Sequence, residues 1–400
     1  MTIKLKKILY ISHDGIFDHI GQSQILPYII NNSNHYGFEL LSFEKKNNEI
    51  HFKKFKKKLQ KYGIRWHPQV YHTSLVGKIY DFFKLIILVN YIKIFFNFHL
   101  IHCRSYIPSF SIYVLNKIFK YKYIFDIRDF WADEGLEIKK YKFIYKYIKK
   151  IEGKMINNAV KIVCLTRAAK VHILSRYSTK FENIFNDKIS VIPCGTDFNL
   201  FDPSLFKKKQ INDLKKKLNI RNRKVLLYYG SVGKNYILNK KTFFFKTINT
   251  KNDWFFLFIV NNNLKSLNDS LISNGLKKND FKILNLKRTS LPLYLSCVDL
   301  SIFFYRKGMR SIGCSPTKLA DLFAMNIPII TDSNLGDMKS IIKFQKNKSH
   351  ILNIFNSHHI RNKTSMIVNE KKFINIRKNS NYFNFKLGAQ KYLNIYNNLI

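Results

Sequence analysis

The chain has 400 residues, carries a formal net charge of +44, and is 46% hydrophobic and 15% aromatic. This apolar content excludes a disordered polyelectrolyte, and the length suffices for two domains of ordinary size. The positive charge favours a polyanionic partner such as nucleic acid, anionic lipid or a phosphorylated substrate. Lys, Asn, Ile, Phe and Tyr are abundant together, as an AT-rich coding sequence would produce. Solvated lysines on helix faces are therefore the competing explanation of the charge.

Cysteine usage and hydropathy indicate in which cellular compartment the protein resides. The five cysteines are odd in number and form no C-x-x-C pair, so we expect reduced thiols and a cytoplasmic protein. The most apolar window, Ile79 to Phe98, is interrupted by Asp81, Lys84, Asn90 and Lys93. It therefore predicts a helix of the protein core and not a membrane span.

Short apolar runs alternate with helical patterns through the first half of the chain. Strands are predicted at Ile8–Ser12, Leu40–Phe43, His99–Cys103, Tyr123–Ile127, Val160–Leu165 and Ile189–Ile192. This alternation predicts a parallel α/β sheet. The loop after the first strand contains Gly21, which would let a ligand approach the backbone at the carboxyl end of that strand.

The alternation stops in the polar run after Ile192 and restarts at Val225, which divides the chain into two α/β domains. In the second half, strands are predicted at Val225–Tyr229, Trp254–Val260, Phe281–Leu284, Leu300–Tyr305 and Ile327–Thr331. A terminal helix is predicted at Gly388–Leu399. We expect domains at residues 1–200 and 201–385, followed by a terminal helix at 386–400.

The most specific local pattern is the helix start at Ser315-Pro316-Thr317-Lys318. Ser315 is a suitable N-cap and Pro316 suits the first helical position, so free backbone N–H groups would face the preceding loop. That arrangement, with Lys318 in the first turn, predicts a phosphate site, and Asp321 lies one turn further along. A well-capped helix packed on a buried strand is the alternative.

Two further sets of residues fit an anion site in the second half. Gly230-x-x-Gly233-Lys234 follows a buried strand and resembles a phosphate cradle, although a plain turn is the alternative. Arg306 lies shortly before Ser315 and could neutralise a leaving diphosphate, or it is a surface charge.

In the first half, Asp126 and Arg128 stand at a strand end, where strand alternation places them on one side. They could serve chemistry or a structural ion pair. No cluster has metal-ligand spacing, so we expect neither a metal ion nor a cofactor. The basic helix near Lys139–Asn157 carries Phe143 and Tyr147 on one side. It could rest on anionic lipid at the inner face of the membrane, or pack on its own sheet.

These segments, taken in order, resemble glycosyltransferase family 4, the group 1 glycosyltransferases of GT-B fold. The matching stretches are Ile8–Gln24, Phe125–Trp131, Ile162–Thr166, Val191–Phe201, Leu226–Gly233 and Ser315–Thr331. The nearest similarity is to bacterial enzymes of surface-polysaccharide assembly. The resemblance implies two Rossmann-like domains facing a cleft.

The resemblance also implies transfer of a sugar from a nucleotide-sugar donor to a glycan or lipid-linked acceptor, with retention at the anomeric carbon. Backbone at Ser315, Pro316 and Thr317 would hold the diphosphate, and Asp321 the ribose. Gly230 would permit close approach of the donor, and Gly21 would face the diphosphate from the first domain.

The acceptor, on the same resemblance, would lie near His13, Asp14 and Arg104. Arg128, Asp126 and Lys318 are the candidate catalytic residues. The terminal helix would return to the first domain.

The chain departs from the family pattern at several positions. The two Glu of the family are matched by Gly313 and Asp321, a common His by Arg128, and a common Arg by Ser231. Lys234, Arg306 or Lys318 would then replace that Arg. A GT-B-shaped epimerase, a phosphorylase, an inactive relative and a basic nucleic-acid-binding protein stay open as alternatives. The last lacks a recognisable binding module, so we expect no nucleic-acid partner.

Overall fold

The structure is a computed structural model that describes residues 5–45, 49–137, 142–180, 186–220, 222–231, 245, 253–344, 350–351 and 375–400. The chain divides into two compact units. Unit 1 comprises Met1–Gly195, Ile312–Cys314 and Phe385–Ile400. Unit 2 comprises Thr196–Ser311 and Ser315–Asn384.

Unit 1 is built on a seven-stranded parallel sheet with the strand order β3-β2-β1-β4-β5-β6-β7. Its strands are β1 Lys7–Ser12, β2 Gly37–Glu44, β3 Ile64–Val70, β4 Leu100–Arg104, β5 Tyr123–Ile127, β6 Lys161–Cys164 and β7 Ile189–Val191. Six of these strands confirm the sequence prediction, and β3 was not predicted. Its residues include Arg65 and Pro68, and it is the edge strand, where a proline without an N–H is tolerated.

Helices cover the sheet of unit 1 in the usual alternation with the strands. They are α1 His19–Gln24, α2 Leu26–Asn32, α3 Glu49–Gln60, α4 Leu75–Phe96, α5 Tyr106–Leu115, α6 Trp131–Glu137, α7 Lys142–Asn158, α8 Arg167–Tyr177 and the terminal α16 Phe385–Leu399. The terminal helix packs on α2, and a Cβ at Gly388 would come within 2.7 Å of the Tyr28 ring. Gly388 therefore lets these two helices of unit 1 approach closely.

Unit 2 contains a six-stranded parallel sheet with the order β10-β9-β8-β11-β12-β13. Its strands are β8 Lys224–Tyr229, β9 Trp254–Ile259, β10 Phe281–Leu284, β11 Leu300–Ile302, β12 Ile329–Thr331 and β13 His350–Ile351. Its described helices of more than three residues are α9 Lys208–Lys217, α10 Leu264–Ser273, α11 Leu291–Leu295, α12 Met309–Ile312, α13 Thr317–Ala324, α14 Met338–Phe344 and α15 Ile376–Asn379, of which Ile312 itself belongs to unit 1.

The structure confirms a helix in the most apolar window, but only one side of that helix belongs to the core. Within α4, Leu85, Val89 and Ile92 are fully buried, but Ile87 is 68% and Ile94 77% exposed. The helix therefore buries one side against the sheet and leaves apolar side chains on the other. Within the described ranges, no helix is both long and apolar enough to cross a membrane.

Candidate active site

The predicted anion site of unit 2 lies at the start of α13, one residue later than expected. Pro316 is the N-cap, in extended conformation with φ −71° and ψ 131°, and no side chain caps the helix. The prediction that Ser315 is the cap is therefore wrong. Pro316 has no N–H group, so the donors offered here are the amides of Ser315 and Thr317. Among the described residues, no side-chain oxygen accepts a hydrogen bond from either amide.

Lys318 and Gly230 are brought together at the carboxyl end of β8. A Cβ at Gly230 would lie 3.2 Å from Lys318 Nζ, and Gly230 has φ +125°, a conformation that favours glycine. The ammonium of Lys318 is buried over aromatic rings, 4.9 Å from the ring centre of Phe303 and 5.0 Å from that of Tyr305. A buried cation beside open helix amides makes this corner of unit 2 attractive to an anion.

Asp321 lies in the same helix but makes contacts that the sequence did not predict. Its carboxylate is fully buried and accepts hydrogen bonds from Thr196 Oγ1 at 2.5 Å and Tyr229 Oη at 3.1 Å. Arg288 adds two more, at 3.0 and 3.2 Å. The carboxylate is thus held by three residues of unit 2.

Sequence analysis missed Arg288. It stands in the loop after β10, at the same carboxyl edge of the sheet, and its guanidinium lies 4.7 Å from the Phe201 ring centre. Burial would lower its pKa, but the adjacent Asp321 raises the pKa above the ordinary Arg value. Its position after the predicted strand Phe281–Leu284 was the only signal in the sequence.

Arg306 and Lys234 were also predicted to bind the donor. Arg306 is exposed in the segment after β11. Lys234 lies outside the described residues.

At the carboxyl edge of the unit 1 sheet, Asp126 is the centre of a buried polar network. Its carboxylate accepts hydrogen bonds from Arg128 Nη1 at 3.2 and 3.3 Å and from Tyr392 Oη at 3.1 Å, and His102 Nε2 lies 3.3 Å away. Burial alone would raise the pKa of Asp126, but Arg128, His102 and Arg104 together hold it well below its usual range. An anion held this firmly is a poor proton acceptor, so the arrangement favours Asp126 as a positioning group for Arg128.

Arg104 ends β4 next to this network and is almost buried, with its side chain 5% exposed. Its Nε lies 3.5 Å from an Asp14 carboxylate oxygen, and its Nη1 lies 4.0 Å from Asp126. Neither nitrogen has a hydrogen-bond partner within the described part of the chain. A buried guanidinium with unused N–H groups is costly unless a ligand completes its hydrogen bonds.

His13 follows β1 and contacts α4. Its Nε2 lies 3.8 Å from Asp81, and burial lowers the pKa of its imidazole. Asp81 is itself engaged by His72 through the backbone N–H at 3.1 Å and Nδ1 at 2.6 Å. The predicted acceptor residues His13, Asp14 and Arg104 therefore lie at adjacent strand ends of unit 1.

A side chain at Gly21 would clash with the backbone of its own loop. A Cβ there would lie 2.4 Å from Gly15 O and 2.5 Å from Ile16 Cα. The nearby amides of Ile16 and Phe17 donate to the Glu44 carboxylate at 2.8 and 3.3 Å. The chain's own Glu44 thus occupies these two amides, and the contact of Gly21 with a diphosphate stays a prediction.

Gly313 is the position that the sequence resemblance matched to a Glu. A Cβ there would come within 3.1 Å of the Phe130 ring and 3.3 Å of Asp129 Cα, both in unit 1. A side chain at this position would therefore press on the Phe130 ring. Across the described residues, no group of His, Cys, Asp and Glu could hold a metal ion.

No protein-family profile and no curated protein sequence matches the chain. Solved structures do match along almost its whole length. Sucrose-phosphate synthase of Thermosynechococcus elongatus is 12% identical, with a TM-score of 0.71, covering 98% of this chain and 99% of that one. HepE of Anabaena, solved in complex with UDP and glucose, has the same identity and TM-score and covers 98% of this chain and 100% of its own.

A glycosyltransferase from Rickettsia africae is 16% identical, with a TM-score of 0.67 over 99% of this chain and 98% of that one. The chain has the GT-B fold. Its two parallel sheets confirm the predicted fold class.

Proposed function

We propose that this protein is a nucleotide-sugar-dependent glycosyltransferase that retains the anomeric configuration. The observation that carries the proposal is the buried ammonium of Lys318 beside Gly230 at the open start of α13. It occurs in a fold whose solved examples include HepE with UDP-glucose. The transferred group would be a hexose, and the product a bacterial surface polysaccharide.

Unit 2 would bind the donor diphosphate. The amides of Ser315 and Thr317 would donate to phosphate oxygens, and the Lys318 ammonium would turn from the aromatic rings to the leaving group. These groups would stabilise the charge that develops as the glycosidic bond to the diphosphate breaks. A leaving phosphate oxygen can take the acceptor proton, so this mechanism needs no separate base. Asp321 would keep α13 in place through Arg288 instead of binding the ribose.

Unit 1 would bind the acceptor. The unused N–H groups of Arg104 and the guanidinium of Arg128 match phosphate oxygens in charge and geometry. We therefore favour an acceptor that bears a phosphate, such as a lipid-linked diphosphate glycan. Asp14 would lie beside it, while His13 would shape the site through Asp81.

The first experiment is a binding screen of UDP, GDP and dTDP by thermal shift, followed by calorimetry with the best nucleotide. Lys318→Met should weaken binding by about tenfold or more, because a charge-assisted hydrogen bond contributes about 1.5–3 kcal/mol. Lys282→Met removes an exposed lysine of the same unit and is the control. Equal affinities for the wild type and Lys318→Met would contradict the donor site.

The second experiment follows the donor sugar with and without a phosphorylated acceptor. A transferase releases free nucleotide diphosphate in step with the glycosylated acceptor. Conversion of the donor sugar without an acceptor would favour an epimerase. Nucleotide binding without any turnover would favour an inactive relative.

A further inference from the structure

An exposed apolar stripe runs along α4. Its large side chains are exposed by 49% to 77%. They are Val76, Ile79, Phe83, Ile87, Tyr91 and Ile94. The spacing of three or four residues places them on one side of the helix. Because a soluble surface seldom leaves such a continuous apolar row uncovered, the stripe marks a docking surface.

The charge around the stripe indicates which kind of partner it binds. From Phe82 to Phe125 the sequence has five Lys residues besides the buried Arg104, and neither Asp nor Glu. Beyond the helix, Ile118 is 81% and Phe119 41% exposed, between Lys117 and Lys120. An apolar surface surrounded by cations is complementary to a membrane leaflet that contains anionic phospholipids. A symmetric contact with a second copy would instead place like charges opposite each other.

A concavity at the end of the stripe fits a phosphate-bearing headgroup. It measures about 620 Å³, and Ile94 and Phe119 line it together with Lys93, Lys120 and Lys122. Lys93 Nζ donates hydrogen bonds to Asn97 Oδ1 and Phe98 O, and these hold its ammonium group at the wall of the concavity. The concavity thus combines apolar walls with cations.

We propose that the stripe of α4, with this concavity, docks unit 1 on an anionic phospholipid bilayer. The helix would lie in the plane of the interface over its length of about 33 Å. Asp81, in its second turn, contacts His13 of the proposed acceptor site. Docking would therefore bring the acceptor end of unit 1 to the membrane, where a lipid-linked substrate resides. That consequence rests on the proposed function, whereas the docking itself does not.

Vesicle flotation tests the proposal with the full chain. We expect the protein to float with phosphatidylcholine vesicles that contain phosphatidylglycerol and to bind pure phosphatidylcholine far more weakly. The variant Phe83→Glu/Ile87→Glu/Ile94→Glu should lose at least about tenfold in binding, because each exposed apolar group no longer enters the interface. In Lys120→Gln/Lys122→Gln, the affinity for anionic vesicles should fall about fivefold for each lysine replaced, and added salt should reduce vesicle binding further.

Two control variants distinguish docking through the stripe of α4 from a general effect of added negative charge. Val171→Glu changes a 65% exposed residue of α8 and should leave vesicle binding unchanged. Phe143→Glu tests a second exposed apolar patch, at the start of α7, where Phe143 is 83% exposed. Binding that depends on Phe143 and not on α4 would overturn the proposal.

Size-exclusion chromatography separates lipid docking from self-association. A dimer that the triple α4 variant converts to a monomer, with unchanged vesicle binding, would also overturn it. Nucleotide binding, measured in parallel, should be identical in all α4 variants, so failure of the docking proposal is distinguishable from failure of the donor site.

Discussion

Replacing Arg288 with Met should destabilise unit 2 strongly, because it leaves the buried Asp321 carboxylate without its cation. Asp321 is fully buried, and Arg288 supplies hydrogen bonds at 3.0 and 3.2 Å. Breaking a buried ion pair costs about 3–5 kcal/mol, and we expect the lower end because Thr196 and Tyr229 still donate to the carboxylate. In the double variant Arg288→Met/Asp321→Asn the loss should be smaller than the sum of the single losses, because no uncompensated charge remains.

Native-state hydrogen exchange on peptides covering β8 and α13 measures this loss within unit 2 alone. Arg306→Met, an exposed arginine of the same unit, is the matched control and should change stability by less than about 0.5 kcal/mol. Unchanged protection in Arg288→Met, with loss of nucleotide binding in Asp321→Asn, would refute the structural role. It would restore the assignment of Asp321 to the ribose.

Three further predictions concern single positions. Gly230→Ala should destabilise unit 2 by about 1–2 kcal/mol and weaken nucleotide binding, since φ is +125° and the new Cβ would lie 3.2 Å from Lys318 Nζ; calorimetry and hydrogen exchange measure both. Gly313→Glu should not raise turnover and should cost about 1–3 kcal/mol by overpacking against Phe130; an increase in turnover would contradict this. Because the pKa of Asp126 is depressed in the fold, the contribution of its carboxylate to the free energy of unfolding should be complete above about pH 4 and should decline on further acidification. In acid-unfolding curves, the Asp126→Asn variant should lack this pH-dependent contribution.

The sequence was sufficient to predict the fold because the strands are short, buried and continuous in their apolar character. The strand at Trp254–Ile259 is buried at every position, and such runs are characteristic of parallel sheets. The edge strand Ile64–Val70 carries polar side chains and a proline, so it lacked that signal. In α4, apolar residues occur on both sides of the helix, and composition alone could not separate the side that faces the sheet from the exposed one.

The candidate site was predictable only in part, because its pairings join residues far apart in the chain. Local pattern located Lys318 and Gly230, each next to a helix start or a strand end. It could not identify Arg288 as the partner of Asp321, since that pair depends on how the loop after β10 packs against α13. For the same reason, the sequence could not show that Glu44 occupies the amides after β1.

The most direct test of the donor site is a crystal structure of the protein with the nucleotide diphosphate that binds best. We predict phosphate oxygens within about 3 Å of the Thr317 amide and of Lys318 Nζ, with the ammonium moved away from the Phe303 ring. A diphosphate bound elsewhere, with Lys318 still over the aromatic rings, would contradict a donor site at the start of α13.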